Sequence, residues 1–181
     1  MRGLLLVDIQ NDYFPGGRME LRGMVEASRQ AARLLHEFRA RSLPIVHIQH
    51  LATRPGATFF LPGTSGSEIH ASVSPSEGEL VLEKHFPNAF RETGLLARLQ
   101  FARAEELVIC GAMSHMCIDA TTRAAFDLGF RCTVAEDACA TRDVQFKGET
   151  VPAAQVHAAF MAALASTYAS VVTTDAYLDA K

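Results

Sequence analysis

Six short apolar runs recur along the chain with helix-like stretches between them, and this alternation limits the possible folds more than any other feature. The runs are GLLLVDI (3–9), PIVHIQH (44–50), ELVLEK (79–84), ELVICGA (106–112), RCTVAED (131–137) and SVVTT (170–174). They are nearly continuous in apolar character, which predicts strands covered on both faces. Helical spacing falls at about 24–41, 93–101, 117–129 and 152–166. In the third of these, Cys117, Thr121, Ala124 and Leu128 share one face, while Asp119, Arg123 and Asp127 share the other with i,i+4 charge pairing. Strands alternating with helices build βαβ units, and right-handed crossovers stack them in layers. The expected fold is therefore α/β: a three-layer α/β/α sandwich with a mainly parallel six-stranded sheet. A length of 181 residues suits one domain over 1–181, large enough to bury about 70% of its unfolded surface without staples.

Composition narrows the partners. A net charge of −3 offers no basic excess for nucleic acid or an anionic membrane surface. No apolar run approaches the ~18 residues that span a bilayer. The opening MRGLLLVDIQ breaks at Asp8 before it can serve as a signal peptide, so a cytoplasmic location is expected. Cys110, Cys117, Cys132 and Cys139 form no C-x-x-C pair, which argues against a disulfide framework or a zinc ribbon.

In a parallel sheet of this kind, ligands bind beyond the carboxyl ends of the strands. Asp8 ends the first strand, His50 the second and Lys84 the third, and the Gly111–Cys117 turn follows the fourth. Cys117 stands where strand hands over to helix; there it is either a packing thiol, as Cys110 and Cys132 are read, or a nucleophile. Amide groups and the helix dipole at that junction would lower its pKa and favour the thiolate. Asp8 is either a cap or a general base, being costly to bury unpartnered. Lys84 is one of only three lysines against 14 arginines, the others being Lys147 and Lys181. Its compact charge suits pairing with a carboxylate and a thiolate, although a solvated strand end is the plainer alternative. Together the three make a nucleophile, base and orienter set. The segment 51–78, rich in Gly, Pro, Ser and Thr, is long enough to read as a lid or binding loop.

These residues resemble the isochorismatase-like cysteine hydrolases, a family that includes nicotinamidase and N-carbamoylsarcosine amidase. LLLVDIQNDYF resembles the family's first strand and its acid, EKHFPNAF its lysine segment, and VICGAMSHMCIDATTRAAFDLGFRCTVAEDACAT its nucleophile turn; the likeness runs from about 3 to 175. The resemblance implies the Rossmann-like isochorismatase-like hydrolase fold and a catalytic triad of Asp8, Lys84 and Cys117. It also implies a cis peptide at Ala112–Met113, with the backbone N–H groups of Met113 and Cys117 as an oxyanion hole. Nicotinamidases of the family bind metal through Asp-x-His after the second strand. Here that place reads Gln49-His50-Leu51-Ala52, and His70 alone makes no zinc site, so no metal and no cofactor are expected. His47 and His50, three apart on a strand, should face opposite sides. Phe14, His50, Phe86 and His115, with Phe59 and Phe60, are candidates to line a small apolar pocket.

The expected function is cysteine-dependent hydrolysis of a C–N bond in a small amide, carbamoyl or ureido substrate through a thioester. The expected partners are that small molecule and further copies of the chain in a dimer or tetramer, as is common in the family. The rival readings are the vinyl-ether cleavage that named the family, whose members with that activity lack a cysteine nucleophile, and an assembly module with an idle site. A nucleotide-binding domain is disfavoured because DIQNDYFPGG replaces G-x-G-x-x-G after the first strand.

Overall fold

A computed structural model of the chain describes residues 1–180. In chain order it contains strand β1 (Arg2–Val7), helix α1 (Met24–Ala40), β2 (Ile45–His50), β3 (Leu80–Lys84), α2 (Leu95–Phe101) and β4 (Glu106–Ala112). There follow α3 (Asp119–Asp127), β5 (Arg131–Ala140), β6 (Val144–Phe146), β7 (Glu149–Val151), α4 (Ala153–Ala165), β8 (Ser170–Val172) and α5 (Thr174–Asp179). Six strands form one sheet in the order β3-β2-β1-β4-β5-β8, and every pairing in it is parallel. All six expected strands are present.

Alternate residues of each central strand enter opposite cores, as a strand period of two requires. Leu4, Leu6, Val108 and Cys110 pack under α1 and α5. Leu5, Val7, Ile48 and Ile109 pack under α2, α3 and α4. The two cores with the sheet between them make the three layers. Helix α1 buries Met24, Ala27, Ala31, Leu34, Leu35 and Phe38, an i, i+3, i+4, i+7 stripe of the kind a one-sided helix needs.

Three features depart from the sequence reading. The hairpin β6–β7 is an addition, its six residues being too short and polar to register as strands. The last apolar run stops at Val172, and the Thr173 hydroxyl caps α5 by accepting from the Ala176 N–H. The third helix does not begin at Cys117. A single π-turn, Ser114–Ile118, carries the cysteine, and α3 starts one residue after that turn. The expected charge pair on α3 is present, with Arg123 Nε 2.8 Å from Asp119 Oδ1. No described helix is long and apolar enough to cross a membrane.

Strand order places the site. The chain winds outward from β1 through β2 to β3, then returns to pair β4 on the other side of β1. The sheet's topological switch point is therefore the β1–β4 crevice, where the carboxyl ends leave a gap between diverging loops. Asp8 leaves one side of that gap, and the turn carrying Cys117 leaves the other.

Candidate active site

The backbone is forced into an unusual path on both sides of the crevice. Asp8 has a left-handed φ of 53°, and Gly111, paired with Val7, has φ 124°. A Cβ on Gly111 would fall 2.0 Å from the Val7 carbonyl oxygen, so only glycine lets β4 approach β1 this closely. The Ala112–Met113 peptide is cis, as the resemblance implied.

Lys84 ends β3 and lies beside His50, its register partner on β2. Its four-carbon stem carries the ammonium across β2 to the crevice. There Nζ is 2.7 Å from Asp8 Oδ2, 3.2 Å from Cys117 Sγ, 2.8 Å from His50 Nδ1 and 3.1 Å from the Phe86 carbonyl oxygen. Asp8 and Lys84 are 0% and 1% exposed, and Cys117 is 5% exposed. Asp8 Oδ1 has no hydrogen-bond partner among the described residues. The three residues expected to act together thus converge on one ammonium, and His50 joins them.

Electrostatics corrects one expectation. The thiol of Cys117 is not pushed toward the thiolate: burial, and next the charge of Asp8, raise its pKa, and Lys84 only partly opposes them. The cysteine sits within a π-turn rather than at a helix start, and its one cationic neighbour is already shared with a carboxylate. The resting state is a neutral thiol beside a carboxylate and an ammonium. Burial lowers the lysine's affinity for its proton, but Asp8 and then Cys117 outweigh it, and Lys84 stays charged with its pKa raised. An ammonium can only donate, so His50 Nδ1 must accept and the ring's proton resides on Nε2. Burial first, against the upward pull of Asp8, pushes that imidazole down to about 4.

One ligand atom each from Asp8, His50 and Cys117 lies within 4.8 Å of the others, a grouping of the kind that binds metal. The ammonium of Lys84 is within 3.2 Å of all three side chains, so the cluster's common cation is the lysine. His70 is not part of it. That ring stacks on Phe14, with centroids 3.5 Å apart, and its Nδ1 bonds Ser72.

A cavity of about 280 Å³ opens over Cys117. His50, Phe59, Phe60 and Phe86 line it, as expected. Phe14 and His115 do not: Phe14 is held under His70, and His115 Nδ1 is 2.6 Å from Thr141 Oγ1 at the end of β5. Sequence reasoning missed Tyr13, Arg54 and Met116, which complete the wall. Tyr13 lies in a segment that reads as a loop, and only its place two residues from Gln10 and one from Asp12 hints at why it is fixed. Gln10 bonds both the N–H and the carbonyl of His50 and the carbonyl of Ser67. Asp12 accepts from the Phe60 N–H at 2.6 Å. These two buried side chains fasten the 51–78 segment over the crevice, so the long loop supplies half of the cavity.

Behind the turn, Ser114 Oγ is 2.8 Å from His157 Nδ1, whose Nε2 is 3.4 Å from Glu136. The array has the composition of a serine triad, but Ser114 is 0% exposed, and a hydroxyl closed to substrate cannot attack one. It braces the first residue of the π-turn against α4.

Comparison with known proteins agrees with this geometry. An isochorismatase-domain family model matches residues 2–176. An uncharacterised isochorismatase family protein of Bacillus subtilis, YddQ, is 53% identical over 97% of both chains. The crystal structure of an isochorismatase from Pseudomonas putida superposes with a TM-score of 0.91 at 42% identity, covering 97% of this chain and 89% of that one. N-carbamoylsarcosine amidase from Thermoplasma acidophilum superposes with a TM-score of 0.81 at 25% identity over 96% of each chain. By its sequence along nearly its whole length, and by a fold that closes a crevice at the end of β1 and β4, the chain belongs to the isochorismatase family of hydrolases.

Proposed function

We propose that the chain is a cysteine hydrolase of small amides, carbamoyl or ureido compounds, working through a thioester on Cys117 without a metal. The observation that carries this reading is Lys84 Nζ, placed 2.7 Å from Asp8 and 3.2 Å from Cys117 at the cavity floor. The likeness to an amidase supports the choice of C–N bond.

The raised thiol pKa requires proton transfer to accompany attack. Asp8, ionised and with one oxygen unbonded, takes the proton from Cys117 as sulfur bonds to the carbonyl carbon. Lys84 keeps a positive charge beside both groups, so negative charge moves from carboxylate to sulfur without becoming unpaired. The oxyanion is taken up by the N–H groups of Met113 and Cys117. Collapse breaks the C–N bond, and Asp8 passes the proton to the leaving nitrogen. Water then adds to the thioester with its proton drawn to Asp8. The C–S bond breaks, the acid leaves, and the proton returns to Cys117. One water is consumed, and an amine or ammonia and an acid are formed.

Screening small amides for ammonia release tests this. Cleavage by the wild type should fall at least about 1000-fold in Cys117→Ala, as for removal of other covalent nucleophiles. Cleavage that survives the substitution would overturn the covalent route.

A further inference from the structure

The cavity's polar lining is one-sided. Three side chains in its wall offer hydrogen-bond donors that nothing in the protein takes up. The tautomer imposed by Lys84 leaves His50 with an Nε2–H, and that atom has no partner among the described residues. Tyr13 is 2% exposed and its hydroxyl bonds to no described group; burial, then the nearby Cys117 and Asp8, raise its pKa and keep it a phenol. Arg54, exposed at the cavity mouth, makes no ion pair or hydrogen bond with any described residue, yet lies close enough for its charge to act on His50. No Asp or Glu lines the cavity. This is unusual in a chain of net charge −3 with 20 acidic residues. The one buried carboxylate at its floor, Asp8, is neutralised by Lys84. The remaining wall is apolar, formed by Phe59, Phe60, Phe86, Pro87 and Met116.

Unpaired donors beside apolar walls favour a ligand with acceptors at one end and a short hydrocarbon body. A guanidinium free of any carboxylate adds charge selection, since it forms its strongest hydrogen bonds with carboxylate or phosphate. We infer that the substrate is a small amide or ureido acid bearing a second, anionic carboxylate group. Its reacting carbonyl rests over Cys117, and its carboxylate is held at the mouth by Arg54, with His50 Nε2–H and the Tyr13 hydroxyl donating to acceptors between. A volume of about 280 Å³ lies at the lower end of ligand cavities, roughly 300–1,000 Å³. That size limits the body between the two groups to a few carbons. The inference rests on the proposed amide hydrolysis for which group reacts, but not for which charge binds.

Acid amides and their isosteric diamides separate the two claims: malonamate, succinamate and glutaramate against malonamide, succinamide and glutaramide. Binding is measured by calorimetry on Cys117→Ser, where turnover plays no part. At least one acid should bind about tenfold more tightly than its diamide, the usual scale for one charge-assisted pair. Arg54→Gln should bring that ratio close to one, and Arg54→Lys should restore part of it. A diamide bound as tightly as its acid, a ratio unmoved by Arg54→Gln, or no saturable binding of any acid up to tens of millimolar would each overturn the inference. Turnover by the wild type is read separately as ammonia release. Acids that bind selectively but are never cleaved would count against the amidase reading and leave the anion site standing.

Discussion

Strand β2 carries two histidines three residues apart, each beside a cation and a carboxylate, and only one of them belongs to a site. His47 points into the core beneath α1, where its Nε2 is 2.9 Å from Glu79 Oε2. Arg39 grips the same carboxylate through Nε at 2.7 Å and Nη2 at 2.8 Å, and the Ser76 N–H donates to it at 2.9 Å. His50 points to the opposite side and meets Lys84, Asp8 and Cys117. The charges are alike, but the hydrogen bonding differs. Glu79 is saturated by fixed donors and holds the turn before β3. Asp8 keeps one oxygen unbonded and looks onto a cavity with a thiol at its floor. A buried charge cluster becomes a reaction centre when its capacity is left unfilled and a ligand can reach it.

Asp12 makes the same point within the N-terminal segment. It is as deeply buried as Asp8, but its oxygens are taken by the N–H groups of Phe60 and Arg18. Gly66 packs so close that a Cβ there would meet the carboxylate at 2.2 Å. Nothing is left over for chemistry.

The sharpest break in the comparison comes from Lys84→Met. Without the ammonium, Asp8 is a buried unpaired charge, and stability should fall by about 3–5 kcal/mol in a denaturant titration. Amide turnover should fall by at least about 100-fold, the scale for a lost acid–base partner. Adding Asp8→Asn removes the orphan charge, and asparagine tolerates the left-handed backbone at that position. The double variant should regain most of the stability and none of the turnover. Turnover recovering together with stability would reduce the pair to a structural one.

A smaller effect is expected in the other cluster. Glu79→Gln exchanges charge-assisted bonds for neutral ones and should cost about 2 kcal/mol, with turnover at the wild-type level. Its pH dependence has a definite sign. Hydrogen bonds from Arg39, offset by burial and reinforced by Ser76 and His47, hold the Glu79 carboxyl down to about 2 from an ordinary 4.5. A depressed carboxyl contributes its full stability above its unfolded value and loses it as the pH falls toward the folded one. The gap in melting temperature between wild type and Glu79→Gln should therefore be constant above pH 4.5 and close as the pH drops toward 2. A gap that widens in acid, or a loss of turnover, would erase the distinction between the two clusters.

The sheet was legible because its strands are buried on both faces, which leaves long apolar runs between polar turns. Asp8, Lys84 and Cys117 were legible as strand ends of unlike chemistry. The charge state of Cys117 was not, because it depends on burial and on the sharing of one lysine, neither of which has a local signature. The π-turn was hidden for a similar reason: Ser114–Ile118 has ordinary helical composition, and its geometry answers to tertiary contacts such as His157 on Ser114. The cavity wall was half legible. Phe59, Phe60 and Phe86 stand out as aromatics near strand ends, whereas Phe14 looks the same in sequence and is covered by His70. Tyr13 and Arg54 acquire meaning only once Gln10 and Asp12 have folded the loop above them.

The central claim is that a neutral thiol at Cys117 becomes acylated when Asp8 takes its proton. Peptide mass mapping of wild-type enzyme, acid-quenched at successive times during turnover of an amide it cleaves, tests this most directly. The account predicts a transient acyl group on the Cys117 peptide, with the amine already released and Cys110, Cys132 and Cys139 unmodified. An acyl group on another residue, or Cys117 unmodified at every quench time while amine accumulates, would contradict it.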